Sequence, residues 1–143
     1  MSYTQVQLAE MIARYAHRGQ TDKVGKPYIE HPERLAASAG NIWQVEAAAW
    51  LHDVIEDTQC TLDDLLALGV NPEITTAVDA LTKRKGESRY DQIERAKANA
   101  IALHVKKLDN SDNSSPYRIQ LLPPETRVRL LAKYDRDREQ LYS

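Results

Sequence analysis

Apolar residues recur at three- and four-residue spacing along nearly the whole chain, and this pattern predicts helices from end to end. Val6, Ala9, Ile12, Ala13 and Ala16 share one face of a helix expected over about residues 4–18, with Gly19 as its stop. Pro32 suits the first position of a short helix that runs through Leu35 toward Gly40. An Ala-rich helix is expected over Val45 to Ile55, and Thr61 with Asp64 resembles a capping box ahead of Leu65, Leu66 and Leu68. Asn71-Pro72 opens another helix ending near Thr82, and the polar stretch Lys83 to Ser88 reads as a loop. Ser88 can then cap a long helix through Ile93, Ala96, Ala100 and Leu103 to about Leu108. Ser111 to Pro116 breaks the pattern, and Pro123-Pro124 begins a final charged helix reaching about Tyr142. No segment sustains the two-residue alternation of a strand, and there is no repeat or low-complexity tract. The expectation is an all-α fold, one compact helical bundle over residues 1–143.

Composition narrows the classes. A chain of 143 residues that is 42% hydrophobic and 28% charged can bury a real core and is neither disordered nor membrane-like. No apolar run approaches the roughly 20 residues that cross a bilayer. Met1 to Glu10 lacks the basic and apolar regions of a signal peptide. The one cysteine, Cys60, cannot form an internal disulfide, which suits a reducing cytoplasm, and beside a helix start it reads as an inert thiol. A formal net charge of −2 argues against nucleic acid as a partner. Lys83-Arg84-Lys85 is a local exception and reads as a solvated loop. The face of the last helix bearing Arg127, Lys133, Arg136 and Arg138 reads as solvated surface. A homo-oligomer remains open.

The chemistry concentrates in "LHDVIEDT", Leu51 to Thr58, which follows directly on the apolar run Val45 to Trp50. On a helix His52 lines up with Glu56, and Asp53 with Glu56 and Asp57. One imidazole and three carboxylates would then form a stripe on an element that otherwise reads as buried, and buried charge demands a partner. A divalent cation meets that demand, because its charge stabilises carboxylates and neutral imidazoles together. His31, in "YIEHPER", and Asp109, in "VKKLDNSDN", are candidate ligands beside His52 and Asp53. Two imidazoles and two carboxylates suit a first-row ion such as Mn²⁺, Fe²⁺ or Zn²⁺ and leave positions for water and a phosphate oxygen. Neighbours on a helix diverge by about 100°, so His52 and Asp53 could share an ion only between their two directions.

"HPERLA", then "LHDVIEDT", then Asp109 resembles the HD superfamily of metal-dependent phosphohydrolases. More narrowly, "AHRGQTDKVGKPYIEHP" followed by "AAAWLHDVIEDT" and "ALTKRKG" is similar to the hydrolase domain of the RelA/SpoT proteins, which remove the 3′-pyrophosphate from the alarmones (p)ppGpp. The blocks run from about Tyr15 to Asn113 in the family's order. Where the chain ends, it resembles the stand-alone small alarmone hydrolases, including their animal SpoT-homologue relatives. The resemblance implies His31, His52, Asp53 and Asp109 as metal ligands and Glu56 and Asp57 as the acidic pair that positions and activates water. It implies Lys23, Tyr28 and Asn113 as substrate-binding residues. It also implies Mn²⁺ as the ion. Two-metal HD proteins need further histidines between the HD pair and the last Asp; between His52 and Asp109 there is only His104, on a different helical face from Asp109, so one metal per chain is expected.

Two departures bear on specificity. Asp22-Lys23 stands where the family has Arg-Lys, replacing a cation by an anion and leaving the loop near neutral. "LDNSDN" stands where the family has "ADRLHN", keeping Asp109 and Asn113 and losing the Arg between them. The reading is a (p)ppGpp 3′-pyrophosphohydrolase acting on a small nucleotide. The alternatives are an HD hydrolase of another nucleotide or nucleoside monophosphate, and a catalytically weak nucleotide-binding protein. An intact Glu56-Asp57 pair argues against the last.

Overall fold

Val45, Ala47, Ala48, Ala49 and Leu51 are all at most 2% exposed, so the helix that carries them is apolar on every side and must lie at the centre of the bundle. That helix is α3 (Trp43–Leu51) in a computed structural model that describes residues 2–143. Its alanines let neighbouring helices approach closely. It packs against α1 (Gln5–Ala16), α2 (Glu30–Ala37), α6 (Pro72–Leu81) and α8 (Ala100–Asn113). The remaining elements are the single turn α4 (Val54–Asp57), α5 (Leu62–Ala67), α7 (Arg89–Lys97), the single turn α9 (Pro116–Ile119) and α10 (Pro124–Leu141). No strand occurs among the described residues, only an isolated bridge between Thr21 and Pro27. None of the described helices is long and apolar enough to cross a membrane.

Local signals set most helix ends. Thr4 and Thr61 each close a reciprocal capping box, with Gln7 and Asp64. Ser88 caps α7 by accepting the Asp91 N–H. Pro32 falls third in α2 rather than first, still within the turn whose N–H groups have no helical partner.

Three expectations change. The helix expected over Val45 to Ile55 breaks at His52-Asp53, where His52 N–H reaches back only three residues, to Ala49 at 3.5 Å. Asp53 adopts φ −110° and ψ 3° before α4 restarts. The helix expected from Ser88 to Leu108 is two helices, because Asn99 turns out of α7 and caps α8 through the Ala102 N–H at 2.9 Å. In turn, α8 continues through Ser111 to Asn113, and the Ser114 hydroxyl donates to the Asn110 carbonyl at 2.8 Å at its end. That extension sets Asp109, Asp112 and Asn113 on neighbouring positions of one helix face.

Candidate active site

His31 from the first turn of α2, His52 and Asp53 from the α3–α4 break, and Asp109 from α8 meet at one end of α3. The break bears on the geometry of two adjacent candidate ligands, since Asp53 no longer follows the helical rotation of His52. His31 Nε2 lies 2.9 Å from Asp109 Oδ1, and His52 Nε2 lies 3.7 Å from the same oxygen and 3.1 Å from Asp53 Oδ2. Both rings are buried, with centroids 5.2 Å apart.

The far nitrogens decide what these rings offer. His52 Nδ1 is 2.8 Å from the Ala49 carbonyl, which only accepts, so Nδ1 carries a proton and the ring, when neutral, presents the Nε2 lone pair. His52 Nε2 is buried with no hydrogen-bond partner. His31 repeats the arrangement, with Nδ1 at 2.7 Å from Asp112 Oδ2. Imidazoles that donate one N–H to a carbonyl or carboxylate and aim the other nitrogen at a shared point are the usual donors to a metal. One donor atom from each of His31, His52 and Asp109 falls within a mutual 4.8 Å, so these residues fit a divalent ion. Asp53 stands between two groups: it neighbours His52 Nε2, accepts from the Tyr28 hydroxyl, and clusters within 4.8 Å with Glu56 and Asp57.

The local field favours a cation. Burial opposes charging of His52, yet Asp53 and Asp109 outweigh it and hold its pKa well above the ordinary value. Burial likewise pushes Asp109 up, but Lys106, His31 and His52 hold it well below the usual carboxylate range. Asp57 moves the other way, up to about 6, because it is half-buried beside Asp53 and Glu56.

Beside this cluster opens a cavity of about 470 Å³, lined by the expected Lys23, Tyr28, Glu56, Asp57 and Asn113. Their situations differ. Glu56 Oε1 accepts the Lys83 N–H at 2.9 Å, whereas no hydrogen bond involves the Asp57 carboxylate among the described residues. Asn113 Nδ2 donates to Asp109 Oδ1 at 3.0 Å and so steadies a candidate ligand. Tyr28 is tied to Asp53 and packs, tilted by 48°, with its ring centroid 4.7 Å from that of the buried His17. Its loop turns at Gly19 and Gly25, whose φ values of 77° and 82° suit glycine.

Both departures from the family pattern take structural roles. Asp22 Oδ1 accepts the N–H groups of Val24 and Lys26, each at 3.0 Å, and its other oxygen lies 3.8 Å from Arg118. It is a loop-shaping anion with a cation beside it, not a bare negative charge offered to substrate. Asn110, at the position of the lost Arg, is buried and donates to the Tyr134 carbonyl at 3.0 Å.

Beyond Lys23, the sequence reading did not single out the cations of the cavity, Arg89, Lys106, Arg118 and Lys133. Lys133 is not the solvated surface residue expected: it is half-buried, and burial together with Arg89, Lys23 and Lys106 nearby lowers its pKa. Lys106 Nζ lies 3.4 Å from Asp109 Oδ2, one turn earlier on α8, a spacing readable in the sequence. Arg89, Lys133 and Arg118 arrive from α7, α10 and α9, and no local pattern announces them. The result is a cavity lined by both signs, with acids mainly from the α3–α4 break and most of its bases from α7 to α10.

The chain is 45% identical over 60 residues to the bifunctional (p)ppGpp synthase/hydrolase SpoT of Escherichia coli, an alignment covering 40% of this chain and 8% of that protein. It is 38% identical over 99 residues to the guanosine-3′,5′-bis(diphosphate) 3′-pyrophosphohydrolase of Haemophilus influenzae, covering 65% of this chain and 15% of that one. The chain thus spans less than a fifth of the length of these curated relatives. No protein-family model matches it. A solved structure of a metazoan ortholog of SpoT, described as hydrolyzing ppGpp, has a TM-score of 0.80 at 23% identity, over 99% of this chain and 87% of that one. That likeness establishes the shared helical fold.

Proposed function

We propose that this chain, a relative of the SpoT-type (p)ppGpp hydrolases, is a metal-dependent phosphohydrolase that removes the 3′-pyrophosphate of (p)ppGpp. The observation that carries the reading is the pair of buried imidazoles whose Nδ1 atoms face fixed acceptors and whose Nε2 atoms converge on Asp109, beside an Asp57 carboxylate free of hydrogen bonds. His31, His52, Asp53 and Asp109 would hold one divalent ion, and Mn²⁺ is the ion the sequence resemblance implies. When bound, such an ion supplies Lewis acidity toward water and a phosphoryl oxygen.

The chain's own groups supply the rest. Asp57 accepts a proton from water as the water oxygen bonds to the phosphorus on the 3′-oxygen. The 3′-oxygen–phosphorus bond breaks, the 3′-oxygen ends as a hydroxyl, and pyrophosphate leaves. Glu56, anchored on the Lys83 N–H, holds the α4 turn against the loop after α6 and keeps Asp57 facing the cavity. Lys23, Arg89, Lys106 and Lys133 neutralise a substrate that carries phosphates at both ends of its ribose. The inward role of Asp22 supports keeping the family's substrate, since Arg118 lies 3.8 Å from it and supplies a cation there. A cytoplasmic site of action goes with this reading.

The deciding experiment incubates Mn²⁺-loaded protein with ppGpp, pppGpp, GTP, GDP and nucleoside monophosphates. The expected products are pyrophosphate with GDP from ppGpp and pyrophosphate with GTP from pppGpp. Turnover of another nucleotide with none of the alarmones would overturn the substrate assignment, and turnover of nothing would overturn the enzymatic one.

A further inference from the structure

The buried contact on the outer side of His31 is not one the family motif supplies. Where the family reads "ADRLHN", this chain has Asp112 in place of His, one turn beyond Asp109 on α8. Its carboxylate is only 14% exposed and is gripped from three sides. Oδ2 lies 2.7 Å from His31 Nδ1. Arg34, from α2, reaches both oxygens at 2.9 and 3.1 Å, and Arg118, from α9, donates to Oδ2 at 3.0 Å. Arg118 also donates to Asn113 Oδ1 at 3.2 Å.

A neutral His31 has one ring proton and two carboxylates competing for it. Asp109 lies 2.9 Å from Nε2 and Asp112 lies 2.7 Å from Nδ1. If Nε2 takes the proton, His31 donates to Asp109 Oδ1 and is lost as a ligand to a cation. If Nδ1 takes it, Nε2 turns a lone pair toward the shared point. Arg118 Nη1 lies 2.9 Å from Nδ1 and can only donate, so it competes with Asp112 for that nitrogen; once Nε2 gives its lone pair to a cation, Nδ1 keeps the proton, and Arg118 still has Asp112 Oδ2 and Asn113 Oδ1 as acceptors at 3.0 and 3.2 Å. The two-point contact of Arg34 and the single contact of Arg118 fix the carboxylate more tightly than solvent could.

We infer that Asp112, clamped between Arg34 and Arg118, is the positioning residue that sets the tautomer and orientation of His31 for metal binding. The inference rests on the metal site proposed above. Partners of this kind change metal affinity by roughly 10–100-fold when removed. They do so without touching the ion.

The test titrates Mn²⁺ into metal-free wild type, Asp112→Asn, Asp112→Leu and His31→Ala, reading free Mn²⁺ by electron paramagnetic resonance. Asp112→Asn keeps the shape of the side chain, so it remains informative where Asp112→Leu fails to fold. Melting of the metal-free variants separates lost packing from lost affinity. The expected result is a dissociation constant raised roughly 10–100-fold in Asp112→Asn and no site binding in His31→Ala. Unchanged affinity in both Asp112 variants, with His31→Ala still defective, overturns the positioning role and leaves the metal site standing. Wild-type affinity in His31→Ala overturns the metal assignment itself, and this inference with it.

Discussion

Asp57 and Glu56 are neighbours with different surroundings: Glu56 is committed to the Lys83 N–H, while the Asp57 carboxylate faces the cavity and is pushed up to about 6 by burial, Asp53 and Glu56. Asp57→Asn is therefore expected to lower kcat by about a hundredfold or more, the scale of a lost general base, with Mn²⁺ affinity retained. Glu56→Gln, whose amide oxygen can still accept from Lys83, is expected to lose less. Steady-state kinetics beside a metal titration checks both, and equal losses would show that the pair acts as a unit. Asp22→Arg belongs at this scale too. From the sequence it looks like the return of a missing cation, which would lower KM. With two backbone N–H groups bonded to Asp22, the substitution instead undoes the turn that carries Lys23, and KM for ppGpp is expected to rise. The reversal shows where sequence legibility stops: the motif locates the residue, but a carboxylate's direction depends on which donors the folded loop presents.

At the scale of elements, Arg95 in α7 holds the end of α6. It donates to the carbonyls of Asp79, Ala80 and Thr82 and forms a bidentate pair with Glu87 at 2.9 and 2.8 Å. The loop Lys83 to Ser88, which bears the Glu56 anchor, is thereby pinned. Glu87 is held down to about 2, chiefly by the Arg95 hydrogen bonds, against an ordinary value of 4.5. A carboxyl with a depressed folded-state pKa stabilises the fold above its unfolded value, and that contribution fades as pH falls from about 4.5 toward about 2. The wild-type melting temperature is therefore expected to drop more steeply across that window than that of Glu87→Gln, measured by thermal melts from pH 6 to pH 2.5. Parallel curves would show that the pair contributes nothing. The helices themselves were largely readable from periodicity and caps, as at Thr4, Thr61, Asn71-Pro72 and Ser88. The breaks at His52-Asp53 and Asn99 were not, because both segments are apolar at helical spacing on either side of the break and only packing against neighbours decides where the ladder is interrupted.

For the whole molecule, α3 is the buried post on which the site stands, and the candidate metal ligands come from elements that pack directly on it or extend it. Binding an ion across α2, the α3–α4 break and α8 should therefore stabilise the entire bundle. At an Mn²⁺ concentration about 100 times its dissociation constant, the stabilisation is about 2.7 kcal/mol. For a chain of this length that corresponds to a rise in Tm of roughly 5–10 °C. Differential scanning fluorimetry with and without Mn²⁺ checks it, and His52→Ala should abolish the rise. A rise that survives in His52→Ala would place the ion elsewhere.

The all-α class and most helix starts follow from the sequence alone, because periodicity and caps are properties of neighbours along the chain, and the resemblance of its motif blocks singled out His31, His52, Asp53, Asp109, Glu56 and Asp57 as candidates. Tertiary structure alone decided the rest. It turned Asp22 inward, brought Arg89, Arg118 and Lys133 from three separate helices to one cavity, freed Asp57 while occupying Glu56, and set Asp112 behind His31. Each of those outcomes depends on a donor or charge supplied by an element distant in the chain, and side-chain direction at such a site follows the nearest partner in space.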